Sequence, residues 1–438
     1  MKTTTPGPRA VRISGELAVA LAGALICAGT IAFGLLTVAG GGELGAPLAP
    51  FLSRWDPQLH PLALLGAAAL AGTVVLAGPL RTAASPLRFA AALLALALVL
   101  RLALAVARGG GVDAWWAVYE LPKPESGNEY LPALPAVDLG LRFFLDSFAE
   151  VGTSLPVHAI GHPPGLLVTM HLLGIDSAPA LAVLTIGLGA VSVPLAYLLA
   201  RELLDEATAR TAALLYLFAP CAVLYGATSA DALFATLAVA AAALLLVRRR
   251  AASHVIGPAA LALAAFFSYA NLAVGAWAVL VAASRESSRS AAVLAASCGT
   301  GLIVLYGLLH LATGFDPLGA VQATEAVYRE GIASRRPYAF WLFGSPVAFL
   351  VVLGLPIAWY ALRALARGES VAIALFAVLA ISALLGFTKA ETERIYLFLV
   401  PLACIAAAPA LPERFLTPTL AALAVQAFTA ELLLATVW

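Results

Sequence analysis

Carboxylates, histidines and arginines are scarce in this chain, and they are not scattered evenly along it. The stretch from Asn128 to Gly165 gathers Glu129, Asp138, Asp146, Glu150, His158 and His162 among prolines and aromatic residues. Glu129 stands beside Tyr130 and ahead of two prolines. A carboxylate in such a rigidified loop suits a general base, which must reach the proton it takes. The plainer alternative is a solvated loop glutamate. Asp113, in Gly-Gly-Gly-Val-Asp-Ala-Trp-Trp, is the second candidate base. Beside Trp115 and Trp116 it equally suits an interfacial cap in an aromatic belt.

His162 opens His-Pro-Pro-Gly and is placed to hydrogen-bond a phosphate or a sugar hydroxyl; otherwise it is an exposed residue at a proline-fixed helix start. His158, His162 and His171 do not make a zinc triad, because glycine and proline between the first two prevent a shared helical face. Asp231 starts an apolar run, either as a helix-end acid or facing the same cavity as Glu129. Late in the chain, Lys389-Ala-Glu391-Thr-Glu393-Arg394 packs four charged residues together. The planar fork of Arg394 pairs with two oxygens at once and so suits a phosphate, with Lys389 as a second cation. Glu391 and Glu393 either complete that substrate-binding set or neutralise Arg394. Arg335-Arg336 is a further cationic pair, solvated by default. Arg101 lies inside an apolar run, where an arginine faces a cavity or a partner; the sequence names none.

The elements that must position these groups are membrane helices. Of 438 residues, 62% are hydrophobic and 11% charged, with mean hydropathy +0.97. Soluble domains carry about a quarter charged residues, so an all-α, polytopic membrane protein is expected. The net charge of +1 gives no footprint for nucleic acid. The four cysteines sit in apolar runs without CxxC spacing. They read as small hydrophobes, and no disulfide or metal site follows from them.

Apolar runs predict about 13 spans, at 16–39, 60–79, 87–107, 179–200, 208–227, 231–247, 255–269, 271–284, 291–313, 339–362, 370–387, 395–410 and 415–437. No cleavable leader is expected. With Lys2, Arg9 and Arg12 in the cytoplasm, most basic residues, including Arg248-Arg249-Arg250, fall on that side, as the positive-inside rule requires. Residues 163–174 are too short to span and are read as a helix on the outer face, with Pro163 in its first turn. The outer side then receives short loops at 40–59 and 314–338 and a long loop at 108–178. Residues 137–150 in that loop suit an amphipathic helix showing Leu141, Phe144, Leu145 and Phe148 on one face.

From Leu87 onward the order of features resembles polytopic glycosyltransferases of the C-type fold, which take sugars from polyprenyl phosphates. A first core span is followed by an outer loop with an acidic-Tyr element, here Asn128-Glu129-Tyr130. His162-Pro163-Pro164 then opens a juxtamembrane helix. Tyr197-Leu-Leu-Ala-Arg201 ends a span, Asp231 sits at an outer turn, and Arg394 precedes an aromatic-aliphatic run to Pro401. The family typically has two acids where this chain has Asn128-Glu129, which leaves the base to Glu129 or Asp113. The resemblance implies an inverting transfer to an acceptor hydroxyl on the outer face of a bacterial cell membrane. It implies Glu129 or Asp113 as base, and Tyr130, His162, Asp231, Lys389, Glu391, Glu393 and Arg394 as substrate-binding residues. The partners expected are a polyprenyl-phosphate sugar, a lipid or glycan acceptor and membrane lipids, with no nucleic acid. No cofactor is called for, and a divalent cation is left open. Residues 1–86 read as a tail and two added helices, and 87–438 as the core, with 108–178 as its outer catalytic loop. The alternative is a lipid or small-molecule transporter, which would place polar groups at the bilayer midplane between repeats. No internal repeat is evident.

Overall fold

The computed structural model describes residues 15–121, 125–247 and 252–436. Lys2, Arg9, Arg12 and Arg248–Arg250, used above for charge placement, lie outside the described residues. Among the described residues the fold is all-α apart from two three-residue strands, Ser53–Trp55 and Leu434–Thr436, paired antiparallel. The second strand corrects the 415–437 span, whose helix ends at Leu433. Arg108 ties this corner together. It donates to the carbonyls of Glu431 at 2.9 Å and Leu434 at 3.1 Å, and to Asp56 Oδ2 at 2.7 Å.

Among the described residues, seven helices are long and apolar enough to cross a membrane, or up to ten if each bent pair is one span, against about thirteen expected. The chain is a multi-pass membrane protein, but its apolar runs are broken by proline and glycine. Pro220 splits the 208–227 run into Glu206–Phe218 and Pro220–Thr228, bent by 55°. A proline removes a ladder donor and clashes with the preceding turn. The 339–362 run breaks at Gly354, whose φ of +113° no helix accommodates, and Pro356 follows in the next first turn. The runs at 231–247, 255–269 and 271–284 form helices of 16, 11 and 14 residues.

Burial separates centre from rim. Thr392–Ala410 has 89% of its apolar window buried, whereas Gly15–Ala39 and Ser288–Thr313 have 11% each and present leucines outward. Small residues bring the central helices close. A Cβ at Gly189 in Ala178–Leu203 would sit 2.7 Å from the Ala232 Cβ of Asp231–Leu246.

One group of arginines lies at the opposite end of the bundle from the Lys389–Arg394 segment. Arg363 and Arg367 pair with Glu16, Arg285 donates to Ser370 and to the Leu203 carbonyl, and Arg210 donates to the Arg81 carbonyl. The Ser370–Leu385 helix runs from this end to the Lys389–Arg394 segment, a rise of about 24 Å for its 16 residues.

The long loop folds into a layer of short helices with its own apolar core. The helix expected over 137–150 is three pieces, Leu134–Asp138, Leu141–Asp146 and Phe148–Val151, because Gly140 has a φ of +127°. The expected face survives the breaks: Phe144, Leu145 and Phe148 are buried, with Leu141 packed against them. Residues 163–174 give the expected short helix, Gly165–Leu173, with Pro164 rather than Pro163 at its cap. The 314–338 loop proves to contain a helix, Pro317–Glu330, capped by Asp316. Phe315 and Ala320 from this region join the core of the loop layer.

Candidate active site at one end of the bundle

Glu129 follows a 3-10 turn, Ser126–Asn128, that turns it inward, and it is 2% exposed. His158 comes from Val157–Gly161, and its Nδ1 lies 2.9 Å from Glu129 Oε1. Its other ring nitrogen lies 3.6 Å from Glu125. Burial disfavours the charged imidazole, but the Glu129 carboxylate outweighs that and holds the His158 pKa above its ordinary value. Burial raises the Glu125 carboxyl. Glu125, Glu129 and His158 offer ligand atoms within 4.8 Å of one another, a set able to take a divalent cation.

Glu125 also lines a cavity of about 600 Å³, shared with Asp113, Arg108, Thr228 and Glu431. Asp113 is exposed at the cavity wall on a 3-10 turn. Asp113 thus stands at the open rim of the cavity, while Glu129 lies in the buried pair and does not line it.

The second part of the site comes from the other end of the sequence. Arg394, 4% exposed, is bound to Asp231 through a short ion pair and to Glu391 at 3.3 Å. Asp231 is the first residue of its helix but caps nothing; it accepts the Ser229 hydroxyl at 2.6 Å and turns to Arg394. Asp231 is thus a first-turn acid whose carboxylate is taken up by Arg394, and it is not among the residues that line the cavity. Glu391 is shared with Arg336 at 2.7 Å. Burial would raise the Glu391 carboxyl, but Arg336 and then Arg394 hold it below its ordinary value. The two parts meet electrostatically: Glu129 acts on Arg394, and Arg394 on His158.

Arg336 corrects the expectation of a solvated cationic loop. It is 2% exposed, and it donates to the Lys389 carbonyl at 2.6 Å as well as to Glu391. Lys389 is half-buried, and its ammonium donates to the Ala333 carbonyl at 3.2 Å. Glu393 turns away from this chain of charges and accepts the Leu52 N–H at 2.7 Å. Ala390 and Glu391 have φ of +65° and +61°. Such left-handed backbone on non-glycine residues costs about 1–3 kcal/mol each and clusters at working sites.

Tyr130 is buried edge-on to Phe234, and His162 completes a triangle with them, its ring 4.9 Å from Phe234 and 6.3 Å from Tyr130. Burial pushes the His162 pKa down to about 4, so its ring is neutral near pH 7. His171 pairs with Asp138 at 3.1 Å, apart from His158, so no histidine triad forms. Arg101 finds the partner that the sequence could not name. It is buried in electrostatic reach of Tyr216, its Nη1 has no hydrogen-bond partner among the described residues, and it is accommodated where Gly226 has no side chain.

The arrangement therefore joins a buried carboxylate–imidazole pair, an acid-lined cavity and a self-neutralised chain of two arginines and two carboxylates. Glu125, His158 and Arg336 are the members whose roles were missed. No periodic pattern joins His158 to a residue 29 positions away, and nothing in a loop arginine announces burial. No protein-family model, curated protein or solved structure matches the chain.

Proposed function

We propose that this chain is a membrane glycosyltransferase that moves a sugar from a polyprenyl-phosphate donor to an acceptor hydroxyl, with inversion. The observation that carries the reading is Glu129: the acid of the loop motif is buried against His158, within electrostatic reach of Arg394, and linked through His158 to Glu125, which lines an open cavity. The acceptor enters by that cavity. Its oxygen attacks the anomeric carbon, the bond from that carbon to the phosphate oxygen breaks, and the hydroxyl proton passes to the Glu129 carboxylate. The leaving group departs as polyprenyl phosphate, which carries the bond's electron pair.

His158 orients the carboxylate. Arg394 already pairs with Asp231 and Glu391, so a phosphate shares the guanidinium with them. Lys389, with ammonium protons beyond the one given to Ala333, is the cation with donors to spare. Asp113 remains the reserve base at the cavity rim. The site end faces the outside of a bacterial cell membrane in this reading, because the opposite end collects the arginines that the positive-inside rule keeps in the cytoplasm.

The test uses purified protein in nanodiscs with a synthetic polyprenyl-phosphate sugar. Glu129→Gln should abolish release of polyprenyl phosphate; near-normal release removes Glu129 from the role, and loss in Asp113→Asn alone moves the base to Asp113. A lipid or small-molecule transporter, the alternative reading, would move its cargo without releasing polyprenyl phosphate at all.

A further inference from the structure

The loop between the first two long helices, outside the segment that resembles a glycosyltransferase core, reaches the candidate site. Leu44, Ala46 and Ala49 are buried against Phe340, Trp341 and Ala390. The Trp341 indole N–H donates to the Leu44 carbonyl at 2.9 Å, and the Leu52 N–H donates to Glu393 at 2.7 Å. The fit leaves no room for side chains. At Gly45, with φ +73°, a Cβ would meet Arg336 Cγ at 2.7 Å and the Arg335 carbonyl at 3.0 Å; at Gly34 one would meet the Ala49 carbonyl at 2.3 Å.

On the far side of this contact lies the strap of residues 388–394. Its left-handed Ala390 and Glu391 hold a conformation that alanine and glutamate keep only when their surroundings impose it. Several bonds impose it from the core side. The Lys389 N–H donates to the Tyr328 hydroxyl at 2.6 Å, the Thr392 hydroxyl donates to the Ser345 carbonyl at 2.7 Å, and Arg336 holds the Lys389 carbonyl. The remaining side is closed by the 44–52 loop, through Glu393 and against the stem of Arg336. The second oxygen of Glu393 has no hydrogen-bond partner among the described residues, so the Leu52 N–H is what fixes this carboxyl.

We infer that the 44–52 loop is a brace for the strap, which makes the N-terminal helix pair a working part of the site. By gripping Glu393 and Arg336 it fixes the backbone turn that presents Glu391 to Arg394. Glu393 is then a positioning residue and touches no substrate. The bracing needs no assumption about the reaction; its effect on phosphate binding rests on the function proposed above.

Hydrogen–deuterium exchange on the full chain in nanodiscs tests it, comparing wild type, Glu393→Ala, Glu393→Gln and Gly45→Ala. Glutamine keeps an oxygen for the Leu52 N–H and alanine does not. In Glu393→Ala, amides in 44–52 and in 388–395 should both exchange roughly tenfold faster or more, as loss of one such bond implies. Glu393→Gln should stay near wild type, and the rest of the bundle should be unchanged. Gly45→Ala, entering from the other side of the contact, should loosen the same two segments even if Glu393→Ala fails to fold. A strap that keeps its wild-type rate while 44–52 loosens overturns the inference. In the same samples, binding of polyprenyl phosphate should weaken in step with strap exchange. A loosened strap with unchanged lipid binding leaves the brace standing and removes the phosphate site from the proposed function.

Discussion

His158 places its Nδ1 2.9 Å from Oε1 of Glu129, and both side chains are almost wholly withdrawn from solvent. A buried carboxylate without a partner would cost several kcal/mol. The imidazole is what lets Glu129 stay there as a hydrogen-bonded base. Glu129→Gln should therefore lower sugar transfer by about 10²–10⁴-fold, the usual contribution of a positioned base. His158→Ala should lower it as well, and His158→Asn, which can still donate to Glu129, should lose less. Single-turnover release of polyprenyl phosphate measures all three.

Arg394 should behave as a structural keystone before it behaves as a ligand. Its replacement by Gln strands Asp231 in a buried site and leaves Glu391 to Arg336 alone, at a cost of about 3–5 kcal/mol. Adding Asp231→Asn removes the stranded charge, so the double variant should recover part of that loss. Thermal unfolding in detergent reads the difference. A single Arg394→Gln variant as stable as wild type would show that the charge chain is not held as described.

His162 sets a pH dependence whose sign follows from its surroundings. Its pKa is depressed to about 4 by burial, with Asp231 opposing and Arg394 and His158 adding to the shift. The unfolded chain takes up a proton near pH 6.5 that the folded site refuses. The stabilisation is thus complete above about pH 6.5 and is lost as pH falls towards 4, by roughly 3 kcal/mol in total. His162→Asn should flatten the stability profile between pH 6.5 and 4. An unchanged slope there would assign the titration to other groups.

Gly226 should tolerate no side chain. A Cβ there would lie 2.4 Å from Arg101 Nε. Gly226→Ala must displace the buried guanidinium or shift a helix, and either costs about 1–3 kcal/mol. Gly187→Ala, one helix away with open space at its Cβ, is the control and should unfold with wild type.

Much of the architecture could be read without coordinates. Hydrocarbon content required a multi-pass helical protein, because a chain in lipid must satisfy its backbone internally. The exceptional polarity of 128–165 and 389–394 marked both halves of the site. The amphipathic face of Phe144, Leu145 and Phe148 survived although its helix did not. The span count did not survive, since an apolar run says nothing about whether Pro220 or Gly354 will interrupt it.

Composition and order along the chain thus determined the solvent, the helical class and which residues are unusual enough to matter. Tertiary structure alone decided their partners: Glu129 with His158, Asp231 with Arg394, Arg336 with Glu391, and Leu52 with Glu393. Each pair joins segments that are distant along the chain, and each is fixed by a demand no local pattern encodes. A charged or polar group taken out of water must find its complement, and where that complement stands is set by how the helices pack.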